Sequence, residues 1–149
     1  MDDDALHFIN QTRSAAMTTL RADGTPHTVR VGVAVVDGKI WSSGTQTRVR
    51  TRHLRRDPRS TLFVFDPAFR WLSLECRVNI LDGPGAPQQS LRLFQAMQSG
   101  MTPAPAPGKI MWFGAERTEA EFLATMVEEQ RLIYEFEPTR TYGMYGAAP

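Results

Sequence analysis

Lys39-Ile40-Trp41-Ser42-Ser43-Gly44-Thr45-Gln46-Thr47-Arg48-Val49-Arg50-Thr51-Arg52-His53-Leu54-Arg55-Arg56-Asp57-Pro58-Arg59 is the stretch around which the rest of the chain is arranged. Its opening residues read as a short strand. Gly44 breaks that strand, and Thr45 to Thr47 offer turn and helix-capping hydroxyls. The arginine-rich remainder can make about two helical turns before Pro58, because the residue before a proline avoids the helical region. A strand, a small-residue turn and an arginine-bearing helix start are well suited to holding a phosphate. The first N–H groups of a helix are unpaired, and its dipole favours an anion there. Arg48 and Arg50 add formal charge and fork-shaped donors at that end. Two other readings compete. Arg48, Arg52, Arg55 and Arg59 fall near one side at helical spacing, as a solvated stripe does. An arginine run can also bind nucleic acid.

Outward from this stretch the pattern is that of a β protein. Before it, Ala15 to Leu20 reads as a strand, Asp23-Gly24 as a hairpin turn and Thr28 to Val36 as a β-branched strand. Asp37-Gly38 is a second hairpin turn, so three strands are expected to form an antiparallel meander. Gly32 lies inside the second strand and marks a bulge, a barrel corner or a flat ligand lying on the backbone. After the arginines, Ser60 to Phe65 is a fourth strand. Trp71 to Leu81 is a fifth, with Leu72, Leu74, Cys76, Val78 and Ile80 on one face. That places Cys76 in the core and not among nucleophiles. Arg131 to Glu137 is the sixth, with Pro138 ending the core. Helices are expected near the N-terminus behind an aspartate cap, at Gln88 to Gln98, and after the capping box Thr118-Glu119-Ala120-Glu121. Met111 to Phe113 stay unassigned. The expected fold is mainly β with helices, a six-stranded antiparallel split barrel flanked by short helices, with residues 1–149 as a single domain.

Bulk properties narrow the function. A length of 149 residues, 42% hydrophobic and 22% charged, suits a soluble domain with a real core. The net charge is only +1, yet residues 48–59 hold six arginines and one aspartate, so the remainder is net negative. Focused positive charge points to a local anion site more than to a broad nucleic-acid surface. Aromatic residues are not interleaved with the arginines, which also speaks against a single-strand binder. The lone cysteine, Cys76, forms no internal disulfide and fits a cytoplasmic setting. No apolar run approaches a membrane span. His7, His27 and His53 lack metal-ligand spacing, and neither a P-loop, a Gly-x-Gly-x-x-Gly nor a Gly-x-Ser-x-Gly motif occurs. Without a self-sufficient hydrolytic apparatus, an enzymatic reading turns to a cofactor that carries the chemistry.

Three pieces of the chain carry a family resemblance: Met17 to Leu20 with Asp23-Gly24-Thr25-Pro26-His27, Thr51 to Arg59, and Trp71 to Glu75 with a late strand ending near Thr141-Tyr142-Gly143. Their order and spacing resemble the pyridoxamine-phosphate-oxidase-like split barrels, the flavin- and deazaflavin-dependent oxidoreductases. Within these the chain looks closest to the actinobacterial branch that uses coenzyme F-420, a deazaflavin with a phosphate and a polyglutamate tail. The resemblance implies a homodimer with cofactor sites at its interface. It puts the ring along Val31, Gly32 and Val33, with Ser42 and Ser43 nearby and Trp71 close to the ring. The phosphate belongs at Arg48, Arg50 and Thr51, where Arg50 replaces a lysine common among relatives. Arg52, Arg55 and Arg59 are either surface charges or partners of the acidic tail. The implied reaction is hydride transfer from reduced F-420 to a small organic substrate, with no catalytic side chain assigned. FMN use on the same fold, or a non-catalytic flavin, deazaflavin or haem carrier, are the alternatives. The Pro-Ala loop 101–108, followed by Trp112 and Phe113, either borders the substrate pocket or is plain surface over two core aromatics.

Overall fold

Alternating apolar residues curl most strands of this chain round a shared interior. The computed structural model describes residues 1–146. Its elements run α1 (Asp3–Thr12), β1 (Ser14–Leu20), β2 (Pro26–Gly32), β3 (Ala34–Val36), β4 (Lys39–Thr45), α2 (Val49–Arg56), β5 (Arg59–Phe65), β6 (Trp71–Leu81), α3 (Ala86–Gln98), β7 (Lys109–Trp112), β8 (Ala115–Thr118), α4 (Glu119–Glu128) and β9 (Arg131–Met144). Seven strands pair in the order β2-β1-β5-β6-β9-β4-β3, and β7-β8 form a separate hairpin. The neighbours are antiparallel throughout the large sheet. The sheet curls until its edges face each other, and Ser42 Oγ on β4 donates to the Gly32 carbonyl at the end of β2, 2.6 Å away. The result is the expected split barrel, mainly β with four helices among the described residues.

The count of six strands is corrected to seven in the sheet, and the reason lies at Gly32-Val33. The expected single strand from Thr28 to Val36 is two. Both Asp-Gly turns form as the sequence suggests, with Gly24 at φ 85°, Asp37 at φ 50° and Gly38 at φ 74°. Between them, however, the chain leaves β1 at Gly32 and joins β4 at Ala34. The meander therefore splits, with β2 on one edge of the sheet and β3 on the other. Glycine permits the corner because the Met97 methyl of α3 packs where a Gly32 Cβ would stand.

Two further differences have local causes. Pro138 does not end the last strand, which runs on to Met144. It pairs opposite Cys76, beside the register shift between Glu75 and Cys76. An interrupted ladder tolerates the N–H that proline lacks. Met111 and Trp112 belong to the β7-β8 hairpin, whose two-residue turn is Phe113 at φ 48° and Gly114 at φ 78°. Such turns normally carry Asn-Gly, so a phenylalanine hides the signal.

Three apolar clusters hold the elements. Phe8, Ile9, Met17, Leu62, Leu74 and Leu132 are among the side chains that fill the barrel. Each contributes roughly 1.5–3 kcal/mol by leaving water. Cys76 lies in this core, and burial pushes its thiol up to about 12, so the core reading holds. Outside the barrel, α3 covers β3, β4 and β9 through Leu93, Trp41 and Ile133. A third cluster joins α3, α4 and β7 around Phe122, Met126 and Ile110. Asp2 caps α1, its Oδ1 accepting from Ala5 N at 2.7 Å. The capping box of α4 closes through Thr118 and Glu121 in both directions, at 2.8 and 3.1 Å. No described helix is long and apolar enough to cross a membrane.

Candidate functional site

The seam where the two sheet edges meet brings together most of the residues expected to hold a ligand. Val31 and Val33 point into the barrel core, so only their backbone borders the seam. Gly32 ends β2 there under Met97. Ser42 is buried and its hydroxyl is engaged by the Gly32 carbonyl. The adjacent Ser43 points to the opposite face of β4. Its Oγ is buried without a hydrogen-bond partner among the described residues.

Gly44 does not break β4, which stays paired with β9 as far as Thr45, and the chain then turns through Gln46 and Thr47 into α2. Arg48 is the N-cap residue, and it supplies no side-chain cap bond. The expected threonine caps at positions 45 to 47 do not form. The N–H groups of Val49 and Arg50 therefore keep the unpaired character of a helix start, where an anion is favoured. Arg50 folds back along β4 and donates to Ser43 O at 3.3 Å. Its Nε is buried and without a partner among the described residues. Burial, more than the charges of Arg48 and Arg131, pulls the Arg50 guanidinium below its ordinary value. Two orphaned buried polar atoms beside an open helix start and two guanidinium groups fit a phosphate oxygen acceptor.

Thr51 has a different place from the one expected. It is fully buried. Its hydroxyl donates to Thr45 O at 2.7 Å and also contacts the Tyr134 hydroxyl. A hydroxyl has one proton, so Tyr134 is the donor to Thr51. Burial raises the Tyr134 phenol, which keeps that proton in place. The Thr51 side chain thus has no donor left for a ligand and instead fixes the first turn of α2 against the barrel. Tyr134 fits only because position 44 is glycine, since a Cβ there would overlap the phenol. The Arg50 guanidinium lies 5.6 Å from the centre of the Tyr134 ring. Sequence reasoning missed Tyr134, although a glycine inside a strand signals a close approach of this kind.

Trp71 is not brought to this place. Ser43, Ile133 and Leu81 share one row across β4, β9 and β6, and Trp71 stands at the other end of β6. Ten residues of strand correspond to roughly 30 Å. Of the remaining arginines, Arg55 pairs with Asp82 at 3.0 Å and Arg59 with Asp57 at 2.8 Å. Hydrogen bonds from Arg59 pull Asp57 down to about 2. Both are surface ion pairs, as the solvated-stripe reading has it. Trp112 packs edge-on against Phe94 and Phe122, with centroids 5.1 and 5.5 Å away, whereas Phe113 is 86% exposed at the hairpin tip.

The other end of α2 carries a histidine pair. His53 is 7% exposed, and its Nδ1 lies 2.8 Å from Thr19 Oγ1 on β1. The His27 ring of β2 meets it edge-on at 5.2 Å. Burial, then His27 and the charges of Arg56, Arg21 and Arg52, lower the His53 pKa below 6.5. Folded His53 therefore takes up a proton less readily than the unfolded chain, which binds one below about pH 6.5. The stability it contributes is present above that pH and is lost as the pH falls through the lower folded value. Thermal melts of the parent chain are expected to drop by several degrees between about pH 7.5 and 5.5, a window that brackets the histidine range. His53→Gln should lose less than half as much, and an equal loss in both would remove His53 as the cause.

Three comparisons place the chain among known proteins. A family model described as pyridoxamine 5'-phosphate oxidase matches residues 1–122. An F420H(2)-dependent biliverdin reductase of Mycobacterium tuberculosis (strain CDC 1551 / Oshkosh) is 34% identical over 117 residues, 74% of this chain and 80% of that protein. The solved structure of a conserved protein of Mycobacterium tuberculosis, Rv2991, superposes with a TM-score of 0.74 at 22% identity, covering 97% of this chain and 85% of the other. A structure named F420 reductase gives a TM-score of 0.64 at 19% identity, covering 91% and 94%.

Proposed function

We propose, because the chain belongs to the pyridoxamine 5'-phosphate oxidase family, that it is an oxidoreductase using reduced coenzyme F-420 to reduce a small organic acceptor. The observation that carries the reading is the pair of orphaned buried atoms, Ser43 Oγ and Arg50 Nε, beside the uncapped start of α2. The F420H(2)-dependent relative supports the choice of deazaflavin. When bound, F-420 supplies the hydride. Arg48 and Arg50 hold the phosphate, with Ser43 Oγ as a further donor. The backbone at Val31 to Val33 borders the ring. Thr51, Tyr134 and Gly44 keep the start of α2 at a fixed distance from β4. The chain's part is position and exclusion of water, which favour a transfer that needs the two reactants in contact.

The working unit of this reading is a homodimer. Phe65, Phe63, Trp71 and Tyr142 form an aromatic row on the outer sheet face, with successive ring centroids 5.5, 5.7 and 6.2 Å apart. Phe65 is 55% exposed and Phe69 86%. Beside Phe65 lies a cleft of about 830 Å³ lined by Ser14, Ala15, Ala16 and Thr28 and also by the charged Arg30, Asp66 and Arg70. A ridge next to a groove on one face is self-complementary under a twofold axis. A second copy also solves the distance problem, because its Trp71 can reach a site that this chain's own cannot.

Titration with reduced F-420 and with FMN, read by ring fluorescence, tests the cofactor. Saturable binding of F-420 at micromolar or lower concentration, tighter than FMN, is expected, followed by oxidation of the bound cofactor on adding a conjugated acceptor. Preferential retention of FMN would move the chain to a flavin enzyme. Binding without turnover over a broad acceptor panel would make it a carrier.

A further inference from the structure

Across the anion site from α2 stands an arginine with no role so far. Arg131 opens β9 and pairs with Thr45. Thr45 O in turn receives the Thr51 hydroxyl, so the start of β9 and the start of α2 meet at one strand end. The backbone is tied there as well, Gln46 N donating to Gln130 O at 3.1 Å. The Arg131 side chain is held on two sides. Glu129 Oε1 accepts from its Nε at 2.9 Å and from one terminal nitrogen at 2.7 Å. The guanidinium lies 5.0 Å from the centre of the Trp112 ring. Only 10% of the side chain is exposed. The other terminal nitrogen has no hydrogen-bond partner among the described residues.

A guanidinium so enclosed costs desolvation, and one carboxylate on one edge offsets only part of it. Its charge also reaches Arg50, whose pKa it helps to lower. Arg48, Arg50 and Arg131 therefore gather at one strand end with Glu129 bound to the last of them, an excess of positive charge that an oxyanion relieves. We infer that Arg131 is a third oxyanion contact of this site, presenting its free terminal nitrogen from β9 while Glu129 and Trp112 hold the guanidinium plane. The inference rests on the cofactor site proposed above. A phosphate and a carboxylate present the same chemistry to it, and the cofactor carries both.

The test uses the full-length protein, Arg131→Gln and Arg131→Lys, with thermal midpoints checked, and F-420 and FMN as probes over a range of salt. Arg131→Gln is expected to weaken F-420 binding about tenfold, the worth of one charge-assisted hydrogen bond, and to flatten its salt dependence. Loss of both F-420 and FMN affinity marks a phosphate contact. Loss of F-420 affinity alone marks the tail carboxylates, which FMN lacks. Arg131→Lys keeps the charge and the Glu129 pair but lacks the second terminal nitrogen, so a smaller, several-fold loss is expected. It decides the matter should the glutamine variant not fold. Unchanged F-420 affinity and salt slope in a folded variant would overturn the inference. If Arg50→Ala weakens F-420 in the same assay, the proposed function stands without Arg131; if Arg50→Ala also has no effect, the cofactor site itself is misplaced.

Discussion

Replacing Arg48 and Arg50 together by alanine is expected to weaken F-420 binding by at least about a hundredfold, with little change in thermal midpoint. Each charge-assisted hydrogen bond to an anion is worth roughly 1.5–3 kcal/mol, and about 1.4 kcal/mol is a factor of ten. The two residues should contribute unequally. Arg50 is half-buried, lies along β4 and leaves its Nε without a partner, so a phosphate oxygen replaces no water of comparable value there. Arg48 is exposed, and its share is smaller and more sensitive to salt. Arg50→Ala alone should then account for most of the loss, and the double variant should show a flatter salt dependence than the parent. The fold should survive, because Arg50 touches the barrel only peripherally, through a long 3.3 Å hydrogen bond to Ser43 O and its approach to the Tyr134 ring. A folded double variant that still binds F-420 as tightly as the parent would remove the phosphate from this end of α2.

How much of this was legible in the sequence depends on the kind of residue. Turn chemistry was plain: Asp23-Gly24 and Asp37-Gly38 form hairpins because their backbone needs positive φ, and few residue types supply it. The strict alternation from Trp71 to Leu81 fixed which side of β6 faces the core and where Cys76 lies. Long-range choices were hidden. Gly32 marks a corner within Thr28 to Val36, but nothing there tells that the chain changes sheet edge at it, since both halves are β-branched and apolar. The seven-stranded order depends on that one corner. At the site, arginines at a helix start are visible as a charge pattern. Their supports are not, because Tyr134 reads as one more apolar residue between Leu132 and Phe136. Only the meeting of Gly44, Thr51 and Tyr134 in space shows that the phenol holds α2 in place. Trp71 poses a different problem: the resemblance attaches it to the ring, and within one chain the strand carries it roughly 30 Å from the start of α2.

That separation makes the second large effect an assembly effect. Phe65→Glu is expected to convert a dimer to a monomer, raising the dimer dissociation constant by more than about a hundredfold. The twofold axis places the substitution in the interface twice, once from each copy, and each new carboxylate costs desolvation where an aromatic ring had been buried. Phe65 suits the purpose because it is 55% exposed in the single chain, so its replacement leaves the barrel interior untouched. Sedimentation equilibrium on parent and variant at matched concentrations gives the direct answer. The link to function follows from it. With Arg48, Arg50 and Ser43 intact, the Phe65→Glu monomer should still bind inorganic phosphate or a phosphate ester, but it should lose affinity for the ring if, as the proposed dimer has it, a tryptophan of the second copy covers that ring. Dilution of the parent below its dimer dissociation constant should weaken F-420 binding in the same way, without any substitution. If the parent is monomeric at micromolar concentration and binds F-420 tightly all the same, one chain holds the whole site, and the aromatic row on its outer face must serve some other contact.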